Sequence, residues 1–579
     1  MFRIARYLKG FKKQVIIGPI FKLTEAIFEL IVPLVMASII DVGIKNSDTG
    51  YILKMGGLMV LLGILGLGCA LICQYNAAVA SQGFGTVLRN DLFRHINRFS
   101  YSEIDRFGTP SLVTRITNDV NQLQLAVAML IRLVIRAPFL VIGAAVMALT
   151  IDVKLSCIFF IAIPFLAAIL YFVMTRSVPL YKNVQSRLDK IALITRENLT
   201  GVRVIRAFSE QKREQDRFED TTRELKNSVV RVGKLSALLN PLTYVVMNAA
   251  IIAIIWLGGI EVNSGTLTQG NVIALVNYMT QIILALVVVA NLVVIFTKAS
   301  ASARRVNEIF DTLPTVTDEG TVPQNPDLHS GDPAIAFENV SFSYGSGETA
   351  LENLSISIAS GETVGIIGGT GSGKTTLVSL IARFYDASKG RVLLFGRDVR
   401  LYPFPELRRM IGIVPQKAVL FSGTLRENMQ WRNRNASDGE IAAALETAQA
   451  KEFVEKLTDG YDTRILQDGK NLSGGQKQRL TIARALVGGP PILILDDSAS
   501  ALDFATDAAL RHAIAGAAER MTVIMVSQRA NTIKNADQII VLDEGRVAGI
   551  GRHEELFESC QVYREICLSQ LSAEEARRK

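Results

Sequence analysis

The chain is 579 residues long, 49% hydrophobic and 20% charged, with a mean hydropathy of +0.30. Apolar content this high excludes disorder, and charge below the soluble average of about 25% argues against a purely soluble protein. The formal net charge of +8 admits nucleic acid, an anionic membrane surface, or simply basic cytoplasmic loops as its origin.

Dividing the chain separates these origins. Residues 1–311 hold 33 Lys/Arg against 20 Asp/Glu, a net of +13, and residues 312–579 hold 29 against 34, a net of −5. The basic excess therefore belongs to the more apolar part. Met1–Lys13 is basic and amphipathic, and the apolar run beyond it is too long for a cleavable signal peptide. Six apolar stretches, each near the about 20 residues needed to cross a bilayer, lie near 14–40, 52–80, 126–149, 155–175, 238–260 and 272–296. The gaps 41–51, 150–154 and 261–271 are short. The gaps 81–125 and 176–237 are long and charged and contain no cluster of turn residues, so they read as helical hairpins. Segment 176–237 carries Arg176, Lys182, Arg187, Lys190 and further basic residues, whereas 261–271 carries none. By the excess of Lys and Arg on cytoplasmic loops, the N-terminus and both long loops are expected in the cytoplasm.

Charged residues inside the spans have two readings. Lys22, Glu25 and Glu29 share one face of the first span, and Arg132 and Arg136 share one face of the third. They are either substrate contacts or structural pairs, and pairing is the simpler account. Asn248, Asn277 and Gln281 are weaker candidates, because amides often just join helices. The five cysteines, Cys69, Cys73, Cys157, Cys560 and Cys567, lack metal-like spacing, and Cys69 and Cys73 read as buried thiols.

Residues 312–334 are rich in Pro, Asp and Gly and read as a linker. Beyond it, from 335 to 579, short β-rich runs alternate with helices, as in Thr363–Ile367, Ile411–Val414, Ile492–Leu495 and Val523–Val526. Such alternation predicts an α/β domain with a largely parallel sheet. Gly368-Gly369-Thr370-Gly371-Ser372-Gly373-Lys374-Thr375 follows the first of these strands and opens a helix, which is the context a phosphate-binding loop requires. Glycines let successive N–H groups converge on phosphate oxygens, and the helix N-terminus adds a favourable dipole. Lys374 would bridge the β- and γ-phosphates of a nucleotide, and Thr375 would hold Mg²⁺ with Asp496 at the end of the strand ILIL.

Leu472-Ser473-Gly474-Gly475-Gln476, twenty residues before that strand, resembles the signature of ABC ATPases. The resemblance covers the whole chain, because six spans with two long cytoplasmic loops followed by one nucleotide-binding domain are similar to an exporter-type half-transporter. It implies ATP and Mg²⁺ as ligands. It further implies that Tyr344 stacks on adenine, that Thr376 lies beside Thr375 at the phosphates, and that Gln416 in GIVPQ contacts Mg²⁺ and faces the membrane domain. Ser500-Ala501-Leu502-Asp503 resembles the loop that crosses between two nucleotide domains. Head-to-tail pairing would place each ATP between one chain's glycine-rich loop and the Ser473, Gly474, Gly475 and Gln476 of the other, so a dimer is implied. The sequences IDRFGTPSLVTRITND and Glu197–Phe208 resemble the loop regions whose tips dock on the nucleotide domains.

Two catalytic positions depart from the family pattern. Asp497 stands where a glutamate is usual, and Gln528 stands where a histidine is expected. Aspartate is shorter by one methylene, and a base must lie within hydrogen-bond reach of the proton it takes. Glutamine can donate a hydrogen bond to the γ-phosphate but carries no charge. GKNLSGGQ also follows ILQD where exporters show a stretch resembling GERG. Two altered positions beside an intact LSGGQ imply one half of a heterodimer with unequal sites, in which this chain's own site hydrolyses poorly. A homodimeric exporter and a nucleotide-gated regulator or channel are the alternatives. Six spans argue against a nucleic-acid ATPase, and a processing peptide exporter with a cysteine-protease domain ahead of the first span is not expected. The expected setting is the cell membrane, and the expected substrate is amphipathic: drug-like, lipid or peptide.

Overall fold

The computed structural model describes residues 2–318, 320, 333–345, 347–498, 502–517 and 521–572. Most of the expected linker, and Ser500 and Ala501 of the crossing loop, lie outside the described residues. Contacts divide the chain into two compact units, Met1–Asn97 with Pro110–Thr312, and Arg98–Thr109 with Leu313–Lys579.

The first unit is helical. Among the described residues, six stretches are long and apolar enough to cross a membrane: Arg6–Ile44, Thr49–Ile96, Thr109–Ile151, Val153–Thr200, Gln211–Asn263 and Gln269–Asp311. Each contains one expected span but runs beyond it. Thr49–Ile96 and Val153–Thr200 have 48 residues each, or about 72 Å of helix at 1.5 Å per residue. The hydrocarbon core is about 30 Å thick, so these helices project well into water. Their N-termini are fixed by side-chain caps: Asp48 accepts from Tyr51 N–H at 2.9 Å, and Asp152 accepts from Leu155 N–H at 2.7 Å.

Small residues bring the spans together, since lipid supplies no hydrophobic drive between helices. A Cβ on Gly270 would meet Ala37 O at 2.4 Å, and the Gly270 N–H donates to Asp41 Oδ1 at 2.8 Å. Tyr278, fully buried, donates its hydroxyl to Leu30 O at 2.7 Å. The intramembrane charges largely neutralise one another. Lys22 Nζ lies 2.6 Å from Glu25 Oε2, one helical turn away, and Arg136 Nη2 lies 2.6 Å from Glu29 Oε2 on another span. Gln281 donates to Glu29 O at 3.2 Å. Arg132 lies on a π-helical turn, Leu130–Val134. Cys73 is buried as expected, whereas Cys69 is only half-buried, because this span buries little of its apolar stretch within the chain.

The two long loops end differently. The tip of the first is the helix Tyr101–Phe107, opened by a Ser100/Glu103 capping box and closed by Gly108 at φ 73°. It packs within the second unit, where Tyr385 donates its hydroxyl to Asp105 Oδ2 at 2.7 Å and Tyr101 stacks on Phe384 at 4.6 Å. The tip of the second is the helix Val202–Ala207, in the first unit. There Leu199, Val204 and Phe208 are 73%, 60% and 75% exposed.

The second unit is α/β, with a six-stranded sheet in the order Arg546–Gly551, Gln538–Asp543, Thr363–Gly368, Thr522–Val526, Ile492–Asp496, Ile411–Val414. All neighbours are parallel except the first pair. The inner strands are apolar on both faces because both are covered: ILILD and TVIMV are buried throughout. A second sheet orders Thr349–Ile358, Ile335–Ser343, Lys389–Leu394 and the short Arg397–Asp398.

Candidate nucleotide site

In an open parallel sheet, ligands bind beyond the carboxyl ends of the strands. Four adjacent strands of this sheet end in expected site residues. Thr363–Gly368 leads into the glycine-rich loop, Thr522–Val526 into Ser527 and Gln528, Ile492–Asp496 into Asp497, and Ile411–Val414 into Gln416. The parallel register sets Val526 opposite both Ile366 and Asp496, so these ends lie level. Residues far apart in sequence thus share one edge.

The loop after Gly368 is shaped by glycine. Gly371 and Gly373 adopt φ of 84° and 96°, where a side chain is disfavoured, and a Cβ on Gly373 would meet Leu351 Cδ2 at 2.5 Å. Open space surrounds Gly369 and Gly371 instead, which leaves their backbone accessible to a ligand. Gly373 caps the helix Lys374–Ile381, whose N-terminal N–H groups complete an anion-binding cradle. Thr370 is exposed on this loop, and Ser372 is buried. Lys374 is buried too, and its ammonium donates to Gly368 O at 2.9 Å, Gly369 O at 2.6 Å and Ser372 Oγ at 3.3 Å. Burial pushes its pKa down, against the pull of Asp496 and Asp497.

Thr375 donates its hydroxyl to Asp496 Oδ1 at 3.3 Å. Burial pushes the Asp496 carboxyl up, although the Thr375 hydroxyl and Lys374 oppose the shift. A buried carboxylate beside a hydroxyl is a hard-oxygen donor set that a divalent cation would relieve, and it suits Mg²⁺. Thr376 Oγ1 lies 2.9 Å from Tyr344 OH. The Tyr344 ring packs edge-on against Phe342 and Tyr385, with centroids at 4.8 Å and 5.3 Å, and remains 45% exposed. An aromatic surface therefore stands next to the phosphate-binding helix.

Asp497 adopts φ of 48°, the left-handed region, which aspartate tolerates better than most residues. Its N–H donates to Val526 O at 2.9 Å, and its Oδ2 accepts from Gln416 Nε2 at 3.3 Å. Gln528 is exposed on the adjoining strand end, and Ser527 N–H donates to Ile366 O at 3.0 Å. These contacts gather Gln416, Asp496, Asp497, Gln528 and the glycine-rich loop.

The signature residues are elsewhere in the unit. Ser473 caps the helix Gly474–Leu486 in a capping box with Gln476: Ser473 N–H donates to Gln476 Oε1 at 2.9 Å, and Gln476 N–H donates to Ser473 Oγ at 3.3 Å. Ser473 and Gly474 are exposed, Gly475 is half-buried, and a Cβ on Gly474 would meet open space. This is a second free helix N-terminus, satisfied for now by its own cap. Asp503 also caps a helix, accepting at 2.9 Å from both the N–H and the hydroxyl of Thr506. Those bonds, the backbone one first, hold its carboxyl below the usual range.

Gln570, which no sequence signal singled out, donates Nε2–H to Gln528 O at 2.7 Å. It reaches the site from the helix Gln561–Gln570.

A glycine-rich phosphate loop on a parallel sheet, in a chain with six membrane-spanning helices, defines a membrane-bound P-loop ATPase. Comparison with known proteins narrows the class. Residues 15–286 match the model of the ABC transporter transmembrane region, and residues 351–500 match that of the ABC transporter domain. The chain is 39% identical to YfiB, an uncharacterised ABC transporter ATP-binding protein of Bacillus subtilis, over 99% of both chains. It is 30% identical to the ATP-dependent lipid A-core flippase of Haemophilus ducreyi, over 98% of both. A bacterial Atm1-family ABC exporter with ATP bound has a similar structure, with a TM-score of 0.76 at 26% identity, covering 98% of this chain and 99% of that one. The chain belongs to the ABC transporter family, as an exporter half-transporter. It is a multi-pass membrane protein whose ATPase domain couples ATP hydrolysis to transport, and such exporters work as dimers.

Proposed function

We propose that this chain is the weakly hydrolysing half of a heterodimeric exporter that moves an amphipathic substrate out of the cytoplasm. The observation that carries the reading is the pair of altered strand ends. Asp497, one methylene shorter than the usual glutamate, accepts from Gln416 at 3.3 Å, and the uncharged Gln528 follows the end of the neighbouring strand. The phosphate cradle and the signature helix, by contrast, keep every expected group. ATP would be bound by Gly368–Thr376 and Tyr344, and Ser473–Gln476 would complete the better site on a partner chain. Mg²⁺ held by Thr375, Asp496 and Gln416 would neutralise charge on the phosphates. Lys374 would leave its carbonyl partners for phosphate oxygens. Asp497 would orient water as a base set back from the phosphorus, and Gln528 would donate a neutral hydrogen bond where a histidine could supply charge.

The basic loops support a cytoplasmic nucleotide domain in the cell membrane. A cavity of about 1040 Å³ in the first unit supports an amphipathic cargo. Leu130, Val134, Leu292, Val293 and Phe296 line it, with Arg304 at one end. The pairing of Lys22 with Glu25 and of Glu29 with Arg136 supports a structural role for those four charges.

The test is ATPase activity of the purified chain alone and with its partner half-transporter in vesicles. Little turnover alone and ligand-stimulated turnover together support the heterodimer. Robust turnover by the chain alone supports a homodimer and sinks the proposal. Ion conductance gated by ATP without substrate movement would make the pair a regulator.

A further inference from the structure

The loop that carries Gln528 is held by a side chain from the C-terminal helix. Arg529 has extended backbone, with φ −98° and ψ 119°. In extended backbone, the carbonyl before a residue and the N–H after it point the same way. The Gln570 carboxamide meets both: Nε2–H donates to Gln528 O at 2.7 Å, and Oε1 accepts from Ala530 N–H at 2.9 Å. One amide thus pairs with the segment as a neighbouring strand would. On the other residue of the turn, Arg529 N–H donates to Ser527 Oγ at 3.0 Å. Ala530 is fully buried, so its N–H depends on Gln570 for a partner. The helix bearing Gln570 is itself anchored, because Tyr563 and Cys567 are fully buried in the core and Tyr563 OH lies 2.7 Å from His553 Nδ1.

We propose that Gln570 is a positioning residue for the nucleotide site: its carboxamide fixes the backbone at Gln528–Ala530 and so aims the Gln528 side chain at the γ-phosphate. This rests on the reading of Gln528 given above. The clamp grips backbone on both sides of Arg529, so it does not depend on which side chain occupies 528. It makes the C-terminal helix part of the ATP site, through a residue that contacts the Gln528–Ala530 backbone.

The experiment uses the full-length chain in nanodiscs and three variants: Gln570→Met, which keeps the length and helix propensity, Gln528→Ala, and the two combined. Hydrogen exchange is followed over residues 527–531, and affinity is measured for ATP and for ADP. Losing one neutral hydrogen bond corresponds to roughly two- to tenfold in affinity. In Gln570→Met, exchange at Ala530 should rise and ATP should weaken by about that factor while ADP stays within about twofold. The double variant should be no weaker for ATP than Gln528→Ala alone. Unchanged exchange at Ala530 in Gln570→Met overturns the proposal, and so does an unchanged ATP-to-ADP ratio where Gln528→Ala alters it. If Gln528→Ala itself leaves the ratio unchanged, the γ-phosphate role of Gln528 falls and the aiming falls with it. A rise in exchange at Ala530 would then leave only the clamp.

Discussion

Lengthening the carboxylate at 497 is the sharpest test of the unequal-site reading. Asp497→Glu adds one methylene, about 1.5 Å of reach. A base misplaced by about 1 Å loses about 10²-fold in rate, or about 2.7 kcal/mol. The backbone limits the recovery, because residue 497 sits at φ 48°. Left-handed backbone costs most residues about 1–2 kcal/mol, and aspartate tolerates it better than glutamate. The difference leaves about 1 kcal/mol, a rise of roughly three- to twentyfold. Phosphate release should be measured in the complex whose partner has its own catalytic carboxylate neutralised, so that only this chain's cradle can turn over. ATP affinity should stay level, because the substitution keeps the charge at 497 and leaves the phosphate loop itself unchanged. If Asp497→Glu turns over no faster at equal ATP affinity, carboxylate reach does not limit this site and the reasoning fails.

Lys374→Met removes a charge-assisted donor worth about 1.5–3 kcal/mol, so ATP binding should weaken at least roughly tenfold in a fluorescent-nucleotide titration. Gly373→Ala places a Cβ 2.5 Å from Leu351 Cδ2 at φ 96°, and should lower both ATP affinity and the thermal midpoint of the full-length protein. Asp496→Asn discards a charge that burial disfavours. Without nucleotide it should melt higher than the parent at neutral pH, while Mg²⁺ should no longer raise its midpoint in the presence of ATP. Glu29→Gln strands Arg136 and should lower the melting point, and Glu29→Gln with Arg136→Gln should recover most of the loss. A double variant as unstable as the single would show that the pair is not the stabilising element.

What the sequence disclosed follows from which forces are local. Bilayer crossing needs only a run of apolar residues, so each of the six spans was legible. Their extension into 48-residue helices was half legible, since the charged continuation of Thr49–Ile96 contains no proline to stop it but its end at Ile96 depends on packing. The alternation after 335 announced the parallel sheet, and the glycine-rich loop fixed which strand feeds it. Partner choice among charges was not legible. Lys22, Glu25 and Glu29 share a face, yet Glu25 turns to Lys22 and Glu29 to another span. Gln570 was invisible for the same reason, because it belongs to the site only through a tertiary contact. The π-helical turns Ile39–Ile44, Arg115–Asp119 and Leu130–Val134 depend on hydrogen-bond register and leave no mark on composition.

The exposed second loop tip bears on how the cell keeps subunits in proportion. Leu199, Val204 and Phe208 expose apolar side chains at the second loop tip of a chain whose family works as dimers. Contiguous apolar surface in water is what chaperones and proteases recognise. A copy left without a companion would therefore display its own degradation mark and lose it on assembly. Overproducing this chain alone should shorten its lifetime, and supplying the other half should restore it without any change in synthesis.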